Sequence, residues 1–168
     1  NRARLGCELA MPAQDAYAKA RDKGRTIALA RELGLDVPRS IVLEDARDAE
    51  NAAKEIGFPV VVKPAKSSGS RGLLTANDRA ALGAVPELAG TYGPMVLQEF
   101  IPNGGSVGVS YLMNSGEARA VFTHKRLLEF PESGGPSIVR ESIRHEGAEK
   151  AGLTLLRGMR WHGVAMAE

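Results

Sequence analysis

The stretch Gly57-Phe58-Pro59-Val60-Val61-Val62-Lys63-Pro64, followed by Ser67-Ser68-Gly69-Ser70-Arg71-Gly72, decides how this chain is read. Three consecutive valines favour a buried strand, which brings Lys63 out where the sheet ends with its ammonium free to reach an anion. Gly69 and Gly72 then permit positive φ and close backbone approach, and Ser67, Ser68 and Ser70 add hydroxyl donors to the loop amides. One cation and a ring of donors at one place suit phosphate. The lysine precedes the glycines and no Gly-Lys-Ser/Thr triplet is present, so the stretch is not a Walker sequence. The glycine spacing is wrong for a dinucleotide fingerprint, and Gly72-Leu73-Leu74-Thr75 reads as a returning strand. The plainer alternative is a hairpin tip with a solvated Arg71.

Working outward, Asp22 is an N-cap for a helix through Ile27, Ala30 and Leu33, with Gly34 as its stop and Pro38 beyond. A strand over Ser40 to Leu43 follows, then a helix whose face is Ala46, Ala49, Ala53 and Ile56. Beyond the returning strand, Asn77 or Asp78 caps a short helix that Pro86 interrupts or bends. Met95 to Ile101 reads as a strand ending at Pro102, and Asn103-Gly104-Gly105 as a loop. Val107, Val109, Tyr111 and Met113 alternate with Gly108, Ser110 and Leu112, turn at Asn114-Ser115-Gly116, and pair with Glu117 to Lys125 as a hairpin. Pro131 to Ser137 is loop by its prolines and glycines. Ala148, Ala151, Leu155 and Met159 give a last helix, and Gly163 to Glu168 a terminal strand. The order is α+β, and the antiparallel hairpin excludes a doubly wound parallel sheet.

Composition narrows the partners. In 168 residues, 22 basic and 20 acidic side chains leave a net charge of +2, and no basic run is interleaved with aromatics, which argues against nucleic acid. Cys7 is the single cysteine, so an internal disulfide or thiolate cage is excluded and a reducing, cytoplasmic setting is expected. His124, His145 and His162 lack metal-ligand spacing. No apolar run reaches membrane length. The chain opens on Asn1 without a methionine and stops inside an expected strand, which reads as part of something longer.

Taken in order, Asp22-Lys23, the Lys63 loop, Gln98-Glu99-Phe100-Ile101, His124-Lys125-Arg126 and Gly163-Val164-Ala165-Met166-Ala167-Glu168 resemble the ATP-grasp superfamily, from about Met11 to the end. The wording His124 to Pro131, with Ser133-Gly134-Gly135-Pro136-Ser137 and Arg140-Glu141-Ser142, is most similar to bacterial and archaeal carboxylate-amine ligase-like members. The resemblance implies an ATP-grasp fold of two α+β lobes with antiparallel sheets, the C-terminal lobe incomplete. Residues 1–38 would be a helical lead-in from a preceding domain, 39–99 the first lobe with its glycine/serine-rich flap, and 100–168 part of the second.

It also implies roles. Lys23 and Lys63 would contact the phosphates of ATP beneath Ser68, Gly69, Ser70 and Gly72. Gln98, Glu99, Phe100 and Ile101 would form a hinge whose backbone meets the adenine edge and whose Phe100 and Ile101 side chains wall the ring. The acidic residue that members carry a few positions later, for the ribose, has no counterpart in Asn103-Gly104-Gly105-Ser106. Lys125, expected to share a strand face with Val121 and Thr123, would help hold the transferring phosphoryl group. Arg140, a planar fork matched to carboxylate and phosphate, would hold the substrate anion, with Arg126 in reserve and Ser133, Gly134, Gly135 and Ser137 forming a cradle. Glu168 would be the first Mg2+ ligand. The implied reaction is ATP-dependent phosphorylation of a small carboxylate to an acyl phosphate, which an amine or, less often, a thiol then attacks. Alternatives are bicarbonate as the phosphorylated group, as in carboxylases and carbamoyl phosphate synthesis, and an ATP-binding module without turnover.

Overall fold

The computed structural model describes residues 9–102, 105–130 and 137–168. Their contacts divide them into two compact units, residues 20–102 and residues 9–19, 105–130 and 137–168.

In the first unit, α2 (Lys23–Glu32) starts at Asp22, whose carboxylate accepts from the Arg25 N–H, and stops before Gly34 at φ +71°. Strand β1 (Ser40–Leu43) follows, then a 3-10 turn (Ala46–Asp48) and α3 (Ala49–Ile56). Strands β2 (Val60–Pro64) and β3 (Leu74–Ala76) flank the flap. A 3-10 turn (Ala80–Ala84), capped by the Asp78 carboxylate, leads into α4 (Val85–Tyr92), and β4 (Met95–Glu99) completes an antiparallel sheet of order β1-β4-β2-β3. The pairing of β2 with β4 sets Val62 beside Leu97 and Lys63 beside Val96. Side chains alternate across a sheet, so its two faces differ. Leu43, Val60, Val62, Met95 and Leu97 close a core with Ala49, Ala52, Ala53 and Ile56 of α3 and Val85 of α4. The other face carries Ser40, Val61, Lys63 and Gln98. Near that face α2 passes closely over β1: a Cβ at Gly24 would lie 2.8 Å from Val42 Cγ2.

The second unit holds α1 (Gln14–Ala20), β5 (Val107–Asn114), β6 (Glu117–Glu129), β7 (Ser137–Ile143), α5 (Glu146–Gly158) and β8 (Gly163–Ala167). Its antiparallel sheet runs β7-β6-β5-β8. Ser115 (φ +52°) and Gly116 (φ +96°) make the tight turn between β5 and β6 that alternation and Asn114-Ser115-Gly116 foretold. Helix α5 covers one face: Tyr111 Oη donates to the Glu149 carbonyl at 2.7 Å, and Thr123 Oγ1 to the Glu149 carboxylate at 2.6 Å.

Several local expectations are corrected. Pro86 does not interrupt a helix; it sits in the first turn of α4, where a missing N–H breaks no bond. The fourth strand stops at Glu99, leaving Phe100 and Ile101 outside the ladder. Lys63 lies inside β2, not beyond it. Strand β6 runs on to Glu129 because β7 pairs with it, and Ser137, expected in a loop, opens β7. Strand β7 was not anticipated.

Candidate nucleotide and anion site

Two lysines come together in the first unit. Lys23, the first residue of α2, has its backbone N–H bonded to the Ala65 carbonyl at 2.9 Å. Its Nζ donates to the carbonyls of Pro64 (3.1 Å) and Ser67 (3.0 Å) and to Ser67 Oγ (3.2 Å). Lys63 Nζ donates to Gln98 Oε1 at 2.7 Å. Burial lowers the pKa of Lys63, and the nearby charge of Lys23 lowers it further. Burial also lowers that of Lys23, against the opposing pull of Asp22. Both ammonium groups therefore bond to neutral oxygens and repel each other, an arrangement that an incoming polyanion relieves.

The flap is folded on itself. Gly69, Ser70 and Gly72 all have positive φ (+62°, +56° and +73°), so successive amides turn toward one side. Arg71 is not a free tip: its guanidinium donates to the Ser68 carbonyl at 3.2 Å and to Ser68 Oγ at 3.1 Å. A Cβ on Gly72 would meet Pro64 and Tyr92 at 2.8 Å, so glycine is required there for space as well as for φ.

At the expected hinge, the Glu99 carboxylate is bound by Arg39 Nε at 2.6 Å. The backbone N–H groups of Glu99 and Phe100 are committed to the carbonyls of Arg39 (2.9 Å) and Pro59 (3.2 Å). Phe100 and Ile101 are exposed. Gln98 does something different from its neighbours: its side chain reaches Lys63 on one side and Ser40 on the other.

In the second unit the register decides which cations share a face. Arg126 pairs directly with Arg140, and His124 with both Gly108 and Ser142. Val109 pairs with Ala167, which sets Glu168 on the face of Gly108, His124 and Arg126. Arg126 indeed binds the carboxylates of Glu168 and, at 3.3 Å, Glu129. Burial works against its charge, but the hydrogen bonds and charges of Glu168 and then Glu129 prevail and raise its pKa. Lys125 lies on the opposite face with Thr123, toward α5, and pairs with Glu141. The structure thus joins Arg126, Arg140 and Glu168 on one face and separates Lys125 from them. Ser137 Oγ donates to the Val139 carbonyl at 3.0 Å. Ser133, Gly134 and Gly135 lie outside the described residues.

His124 escaped the sequence reading as a structural element. It is 1% exposed, stacked on Phe122, and neither ring nitrogen has a hydrogen-bond partner among the described residues. A Cβ on Gly108 would lie 2.6 Å from the ring, so the glycine makes its berth. The Gly108/His124 pair in a hairpin register was the available signal.

For Mg2+, the donors are few. Among the described residues no group of three or more His, Cys, Asp or Glu side chains is gathered to hold a metal. Glu168 offers one carboxylate, now bound to Arg126. That fits an ion taking most of its oxygens from phosphates and water and one from the protein.

This fold, with two antiparallel four-stranded sheets and a lysine-bearing flap, is that of the ATP-grasp class. The sequence is similar to members of that superfamily over part of its length. The model of the family described as carbamoyl-phosphate synthase L chain, ATP binding domain, matches residues 22–97. A D-alanine--D-alanine ligase of Nitrosospira multiformis is 35% identical over 97 residues, which is 58% of this chain and 32% of that protein. Among solved structures, the fold matches a D-alanine--D-alanine ligase from Bacillus anthracis (TM-score 0.74, 21% identity, 98% of this chain and 57% of that one). It also matches a biotin carboxylase from Campylobacter jejuni (TM-score 0.80, 19% identity, 98% and 40%). The chain spans about a third of the length of the curated relative it matches.

Proposed function

We propose that this chain is the nucleotide-binding part of an ATP-dependent ligase that activates a small carboxylate as an acyl phosphate. The observation that carries this reading is the convergence of Lys23 and Lys63 beneath the flap, with neutral oxygens as their hydrogen-bond partners. Two cations with no carboxylate on either ammonium among the described residues complement a triphosphate. The family model described as carbamoyl-phosphate synthase L chain, ATP binding domain, matches residues 22–97, which include both lysines.

The chemistry asks the protein for position and charge. Lys23 and Lys63 hold the phosphates of ATP while the flap amides meet the remaining oxygens. A substrate carboxylate oxygen attacks the γ-phosphorus, the bond to the β-bridging oxygen breaks, and ADP leaves. An amine then attacks the acyl carbon, losing a proton as the amide forms, and inorganic phosphate departs with the former carboxylate oxygen. Arg140 would supply a fork for the carboxylate or acyl phosphate, and Arg126, directly opposite it on one sheet face, a second once it releases Glu168 or Glu129. Glu168 would hold a magnesium ion, which would supply neutralisation of phosphate charge.

Titration calorimetry with ATP and magnesium tests the binding half: the chain binds ATP, and Lys63→Met weakens that binding about ten- to a hundredfold while Arg140→Met leaves it nearly unchanged. Turnover with an 18O-labelled carboxylate tests the other half, because one labelled oxygen must appear in the phosphate. Bicarbonate as acceptor is the second reading, favoured by the matching family's description. Phosphate that carries label only from bicarbonate would establish it instead.

A further inference from the structure

We propose that Ser40 is a positioning residue of the nucleotide site, acting on Lys63 through the orientation of the Gln98 amide. The inference rests on the nucleotide reading of Lys63 for its purpose, though not for its geometry. Ser40 and Gln98 are direct partners in the β1–β4 ladder, and Gln98 also faces Val61, two residues before Lys63 on the same side of β2. Three side chains on three neighbouring strands therefore form one polar row. Ser40 Oγ donates to the Pro38 carbonyl at 2.8 Å, Gln98 Nε2 donates to Ser40 Oγ at 2.7 Å, and Lys63 Nζ donates to Gln98 Oε1 at 2.7 Å.

The directions in this row are forced. A hydroxyl has one proton, and that of Ser40 is spent on Pro38, so toward Gln98 it can only accept. The amide must then present its NH2 group to Ser40 and its oxygen to Lys63. The reverse orientation would aim two donors at an ammonium, itself donor-only, and an acceptor at a hydroxyl with no proton left. Ser40 thereby locks the amide oxygen onto Lys63. A neutral amide orients the ammonium without cancelling its charge, whereas a carboxylate in its place would both orient and neutralise it.

This arrangement has a functional consequence. Lys63 is half-buried and its charge is disfavoured by burial and by Lys23. The amide oxygen holds the ammonium at one position in advance, so an anion meets a fixed cation. Without the Ser40 acceptor, the amide keeps one of the two hydrogen bonds that fix its orientation, and its oxygen is held less firmly on the lysine.

The test compares Ser40→Thr with Ser40→Val, two side chains of matching shape and strand preference that differ in the hydroxyl. The readouts are ATP affinity and the NMR titration of Lys63 Nζ in nucleotide-free protein. Thr is expected to keep both at the original values; Val is expected to weaken ATP binding about three- to tenfold, the worth of one hydrogen bond, and to shift the Lys63 titration. In a Gln98→Leu background, the difference between Thr and Val should vanish. Unchanged Lys63 titration in the Val variant overturns the proposal, as does an equal Thr-to-Val difference with and without Gln98. Should the original protein take up no ATP while its Lys63 titration still responds to Ser40 through Gln98, the positioning role stands and the nucleotide reading falls.

Discussion

The two units hold their half-buried cations in opposite ways. Lys23 and Lys63 in the first unit hydrogen-bond to carbonyl, hydroxyl and amide oxygens, and desolvation lowers the pKa of each. Arg126 in the second is bound by two carboxylates, which raise its pKa despite burial. A cation lodged among neutral dipoles retains its field for a ligand; one lodged between carboxylates has already spent it. The first unit therefore leaves its two ammonium charges uncancelled for the anion proposed there. The second must first release Glu168 or Glu129 before Arg126 can receive one, and release of Glu168 would free the carboxylate proposed for magnesium.

The sharpest way to break this contrast is to remove one cation from each side. Lys63→Met should weaken ATP binding by about ten- to a hundredfold, as loss of a charge-assisted hydrogen bond predicts. Arg126→Met should leave ATP affinity nearly intact and instead release Glu168, which a magnesium titration would read as tighter metal binding. Equal losses of ATP affinity in both variants would erase the distinction. Next in size, Gly108→Ala should destabilise the second unit by about 1–3 kcal/mol in a denaturant melt, because its methyl group must displace the His124 ring. His124→Ala in the same chain should recover part of that loss.

Asp22→Ala should cost about 1 kcal/mol through the lost α2 cap, and it should also loosen Lys23, the next residue. The smallest effect at neutral pH concerns protons. Lys63 titrates below the ordinary lysine value of 10.5, so above its folded pKa the unfolded chain binds more protons than the folded one. Its protonation opposes folding fully below the folded pKa, and that opposition fades as pH rises through it toward 10.5. Alkaline stability curves of the original protein and Lys63→Met should differ with that sign, and saturating ATP should raise the Lys63 pKa in an NMR titration.

Much of the first unit was legible because its signals are local. The Asp22 cap and Gly34 stop bound α2, the valine run marks β2, and alanine spacing marks the buried face of α3. Each rests on a property that a residue carries with it: a side-chain acceptor, β-branching, a missing Cβ. The β5–β6 hairpin was legible for the same reason, through strict alternation and a turn able to take positive φ. Strand β7 was not, because Ser137 to Ile143 gains its ladder from β6 and leaves most of its side chains exposed, so no apolar period betrays it. Pro86 misled because proline breaks a helix interior but suits a first turn, and only the preceding 3-10 turn places that start.

By itself, the sequence determined the α+β order, the strand and loop that carry Lys63, and the candidate cations, all of which follow from short-range propensity and residue chemistry. Tertiary structure alone decided the partners of those cations. Strand register set Ser40 against Gln98 and Arg126 against Arg140. Register depends on which strands meet and in what phase, a property of pairs of distant segments that no single segment encodes.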